Sequence, residues 1–128
     1  MRVLLLFLLF ASTASAQLTL IGKGAQGQKE LIIDELVKAL EKADKPLDKY
    51  SSLISRIAVR RYLTPQQCNN RWPKGCTLMG ENDEGQKIAL VWYMPGQDVR
   101  KILAHEFQHA IGWVDGSDDW DFHPRRGH

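Results

Sequence analysis

The chain has 128 residues, room for one domain and little more. Apolar residues make up 44% and charged residues 25%, which excludes a disordered polymer. A formal net charge of +2, from 17 basic and 15 acidic side chains, gives no electrostatic basis for holding nucleic acid.

Met1-Arg2 precedes the apolar run Val3–Phe10, and Ala11–Ala16 ends in Ala14-x-Ala16. One positive charge, a short hydrophobic segment and a small-residue cleavage site predict a signal peptide over 1–16, with a mature domain over 17–128. The run is too short to cross about 30 Å of hydrocarbon. The expectation is a secreted or periplasmic protein with no membrane attachment after cleavage. In such an oxidising compartment Cys68 and Cys76, the two cysteines of the chain, are expected to form a disulfide around the turn-rich segment Asn69–Gly75.

Gln17–Gln28 reads as a short strand or a loose arm. From Lys29 to Ala43, Ile33, Leu36, Val37 and Leu40 recur at helical spacing, opposite Glu30, Asp34, Lys38 and Glu41. This predicts a backing helix, ended by Lys45-Pro46. Ser51–Leu63 fits a helix in its first half and a strand in its second. Glu81–Gly85 is a turn of the kind that joins strands, and Lys87–Met94, β-branched and aromatic, is the clearest strand in the chain. Asp98 then opens a helix to about Ile111, with Gly112 as its left-handed cap.

That last helix carries His105-Glu106-Phe107-Gln108-His109. Residues four apart lie one turn along nearly the same helix face, so both imidazoles can reach one ion. Glu106 stands between them and the apolar stripe Val99, Ile102, Leu103, Phe107 and Ala110. A carboxylate there can act on a metal-bound water without ligating the metal. Two histidines and an open position suit one zinc ion, which draws the pKa of its water towards about 7. Beyond His109, Gly112 lets the backbone leave the helix, so that Asp115 can fold back onto the ion.

The segment His105–Asp115, as H-E-x-x-H-x-x-G-x-x-D, resembles the signature of zincin metallopeptidases. It is most similar to the metzincin-like variant of snapalysin-type secreted proteases, without their Met-turn. The resemblance implies zinc on His105, His109 and Asp115, and Glu106 as general base and acid. It also implies a Lys87–Met94 edge strand that pairs with an extended peptide substrate. The fold class expected is α+β: a minimal zincin-like domain, its small mixed sheet packed on a backing helix and an active-site helix.

His123 is an alternative third ligand or an oxyanion donor, and a later Asp of the tail is a further candidate ligand. Trp92, Tyr93 and Trp113, with Trp120, are candidate substrate-binding residues beside a core role, and Tyr93 and Tyr62 are possible transition-state donors. The function expected is a secreted zinc-dependent metallopeptidase, monomeric, acting on a peptide or protein. The alternatives are a catalytically silent zinc module that binds peptide or cell wall, a structural metal site closed by His105, His109, Asp115 and His123, and a metallo-endopeptidase directed at peptidoglycan.

Overall fold

The computed structural model describes residues 18–44 and 47–116. Its element order is β1 (Thr19–Ile21), α1 (Gly22–Gln26), α2 (Lys29–Lys42), α3 (Leu47–Ile54), β2 (Ile57–Arg61), β3 (Gly75–Glu81), β4 (Lys87–Tyr93) and α4 (Val99–Asp115). The expected signal peptide lies outside the described residues. Among those described, no helix is long and apolar enough to cross a membrane.

The four strands make one open mixed sheet in the order β1-β2-β4-β3. β1 and β2 run parallel, as do β2 and β4, while β3 and β4 form an antiparallel hairpin. In the turn between them the Asn82 side-chain oxygen accepts the backbone N–H groups of Glu84 and Gln86, and Gly85 supplies a positive φ of 78°. The fold is thus the expected α+β class, with helices packed against a mixed sheet.

Strand alternation divides the sheet into two faces. Ile57, Val59, Ala89, Val91 and Tyr93 point to the helices and join one core with Ile32, Leu36 and Leu40 of α2 and Leu103, Phe107, Ala110 and Val114 of α4. The buried stripe of α2 is wider than the spacing suggests, taking in Ile32 and Ala39 while Val37 is only half-buried. On the opposite face Cys68, Cys76 and Trp92 form a second small cluster with Tyr62 and Met94. The Cys68–Cys76 disulfide is formed, and it ties the loop before β3 to the start of that strand.

Three elements bear on the expectations. The segment 17–28 gives a three-residue strand followed at once by α1. Residues 51–63 divide as their pattern suggests, with helix first and strand second. β3 is a strand that the sequence pattern does not announce. Its glycines, Gly75 and Gly80, lower strand propensity, yet every residue from Gly75 to Glu81 is in register with β4.

Candidate functional site

Helix α4 presents the H-E-x-x-H residues because its apolar stripe fixes its rotation. Leu103, Phe107, Ala110, Ile111 and Val114 are all buried, and they seat the helix across β3 and β4. His105 and His109 then lie on neighbouring turns, ring centroids 5.0 Å apart and edge to face. His109 is buried, whereas the side chain of His105 is 28% exposed. The two imidazoles share one flank of the helix, as their spacing predicts.

Glu106 points between that flank and the sheet and is 3% exposed. Thr77 of β3 donates its hydroxyl towards Oε1 of Glu106 at 2.9 Å, with the Glu106 backbone carbonyl oxygen as a second acceptor at 3.0 Å. The other carboxyl oxygen, Oε2, lies 3.9 Å from Nε2 of His105. Burial pushes the carboxyl up to about 7, and the Thr77 hydrogen bond pulls the other way by less. A carboxyl with that affinity for protons exchanges them readily near neutral pH, which is the property of a general acid and base.

Gly75 makes this approach possible. It lies two residues before Thr77 on the same strand face, and a Cβ there would fall 2.3 Å from Cγ2 of Ile102 and 3.5 Å from Cγ of Glu106. Only a bare Cα lets α4 pack so close to the strand. Neither Gly75 nor Thr77 stands out in the sequence. The usable signal is the alternation Gly75, Thr77, Met79 against Cys76, Leu78, Gly80, legible once the segment is read as a strand.

Asp115 is not brought to the imidazoles. The helix does not end near Ile111: it runs to Asp115, Gly112 is buried within it, and Gly116, at φ 77°, is the left-handed cap. Six residues of helix carry Asp115 about 9 Å along the axis from His109 and about 120° around it. His123, the later Asp residues of the tail and Trp120 lie outside the described residues.

The strand assignment is corrected as well. β4 pairs on both sides, with β2 and with β3, so it is an interior strand and offers no edge to a peptide. The strand at that margin of the sheet is β3.

The candidate aromatic residues among those described all make packing or hydrogen-bond contacts within the fold. Trp92 is buried against the disulfide, edge-on to Tyr62, and both lie on the sheet face turned away from Glu106. Tyr93 is fully buried and donates its hydroxyl to Gln28 Oε1 at 2.6 Å. Trp113 braces α4 on the hairpin. Its indole N–H points to the carbonyl oxygens of Gly80 and Ile88, at 3.1 and 3.0 Å, and Lys87 Nζ lies 4.4 Å from its ring centroid. At the start of α4, Arg100 donates to Asp34 and Glu35 of α2, both at 2.7 Å, which fastens the two helices together. That pairing holds the Asp34 carboxyl below its ordinary range.

Among the described residues no group of three or more His, Cys, Asp or Glu side chains is placed to hold a metal ion. They offer two imidazole donors, short of the three protein ligands that a catalytic zinc takes. The resemblance of His105–Asp115 to the zincin signature is therefore not upheld: the motif is present in sequence, but the ligand set that defines the family is not assembled. Comparison of the chain with protein-family models, with curated proteins and with solved structures returns no match to any of them.

Proposed function

We propose that this chain is an exported hydrolase of peptide bonds, in which Glu106 takes a proton from the attacking water and returns it to the leaving amine. The observation that carries the reading is the state of the Glu106 carboxyl. It is buried, raised to about 7, held at one oxygen by Thr77, and has its other oxygen towards an imidazole. A surface carboxylate on a helix has none of these features. We propose zinc as the cofactor, with His105 and His109 as two of its ligands; bound there, it would make a water acidic enough to yield its proton near neutral pH. Export is supported by the leader-like sequence of residues 1–16 and is consistent with the Cys68–Cys76 disulfide.

The test is turnover of a quenched fluorescent peptide library by the purified chain, with and without added zinc, beside Glu106→Gln. Zinc-dependent cleavage is expected, falling by at least about a thousandfold in Glu106→Gln while bound zinc is unchanged. Equal activity in Glu106→Gln overturns the role given to this residue. Tight zinc binding without cleavage of any peptide overturns the hydrolase and leaves a zinc-binding module.

A further inference from the structure

The carboxyl group of Glu106 has two chemically identical oxygens, and its terminal torsion is broad and two-fold. Left to itself the group would present either oxygen to the imidazole flank. Two features of β3 remove that freedom. Gly75 lets Glu106 Cγ lie close to the strand, which fixes where the carboxyl begins. Thr77, 5% exposed, then reaches Oε1 with its hydroxyl at 2.9 Å and leaves Oε2 facing His105.

We infer that Thr77 is the positioning residue of this site: its hydroxyl holds Oε1 of Glu106 and so keeps Oε2 turned to the imidazole flank. The inference deepens the function proposed above and rests on Glu106 being the general base.

The chemistry of the hydroxyl supports the assignment. A threonine O–H carries a single hydrogen, while Oε1 and the Glu106 backbone carbonyl both lie within its reach. The carbonyl already belongs to the α4 hydrogen-bond ladder, whereas the ionised carboxylate gains a charge-assisted bond in a buried setting. The hydrogen therefore goes to Oε1 whenever Glu106 is ionised. A valine would fill the same volume without directing anything.

The experiment compares Thr77→Val and Thr77→Ser with the parent chain through two readouts. The first needs no turnover: the infrared carbonyl band of protonated Glu106, assigned by its disappearance in Glu106→Gln. This band should move to higher frequency in Thr77→Val and stay in place in Thr77→Ser. The second is steady-state kinetics. kcat should fall about ten- to a hundredfold in Thr77→Val, with KM within about twofold, and recover to within about threefold in Thr77→Ser.

A stationary band in Thr77→Val overturns the inference, and so does a shifted band with unaltered kcat. If the parent chain cleaves nothing, the proposed function fails on its own, while the band still reports whether Thr77 holds the carboxyl. Thr77→Ala, measured alongside, supplies the same two readouts should valine pack badly enough to prevent folding.

Discussion

Gly75 is the point where the strand and the site helix come closest, and replacing it with alanine gives the sharpest test of this packing. The new methyl would lie 2.3 Å from Cγ2 of Ile102, where two carbons ordinarily sit about 3.5–4.0 Å apart. More than an ångström has to be recovered. The obstructing atom is a branch methyl directly on Cβ, whose χ1 is stiff in a helix, so side-chain rotation offers little relief. The helix itself has to move away from β3.

At an unobstructed position, Gly→Ala stabilises by about 0.4–1 kcal/mol through the unfolded chain. Here overpacking, about 1–3 kcal/mol, outweighs it. A net loss of about 1–2 kcal/mol is expected, read as a lower urea midpoint at unchanged slope. Ile102→Ala deletes the obstructing methyl, so in that background Gly75→Ala should no longer destabilise. The double-mutant cycle then shows a coupling of about 1–2 kcal/mol. A stable Gly75→Ala, or strict additivity with Ile102→Ala, would refute the close approach of α4 to β3.

Other expectations follow from the same geometry. Burial raises the Glu106 carboxyl from 4.5 to about 7 in the folded chain. Below the lower value folded and unfolded states are both protonated, and above the upper one both are ionised with the folded state carrying the buried charge. Stability of the metal-free chain relative to Glu106→Gln should thus fall by about 3 kcal/mol as pH rises through that window; urea curves in a chelator that stay parallel across it would contradict this. Trp113→Phe removes the indole N–H shared by Gly80 and Ile88, and should lower the thermal midpoint by an amount equivalent to about 1–2 kcal/mol in calorimetry. Zinc titration should show affinity lost in His105→Gln and in His109→Gln but held within about twofold in Asp115→Asn, because α4 carries Asp115 away from the imidazoles.

Where the sequence is legible, the signal is local. The apolar spacing of α2, the β-branched run of β4, the paired cysteines and the i, i+4 histidines each depend on neighbours close by in the chain. The end of α4 is misleading because Gly112 looks like a cap. The apolar rhythm nevertheless continues through Val114, which is buried, and a periodic residue beyond a glycine favours reading that glycine as part of the helix. The interior place of β4 is hidden for a different reason. Which strand pairs with which is decided by packing between distant segments, and a strand flanked on both sides reads much like one flanked on one side. Thr77 escapes notice because its partner stands 29 residues away, and nothing in the composition of β3 tells which acceptor its hydroxyl will meet.

Gly75, Thr77, His105, Glu106, His109 and Trp113 all lie between residues 75 and 115, in a hairpin followed directly by a helix. Short loops close at smaller entropic cost than long ones, so this hairpin can form before β2, some thirty residues upstream in the chain, finds its place beside β4. The N-terminal half, with α2 and its Arg100 partners Asp34 and Glu35, packs over a centre supplied by a single stretch of chain.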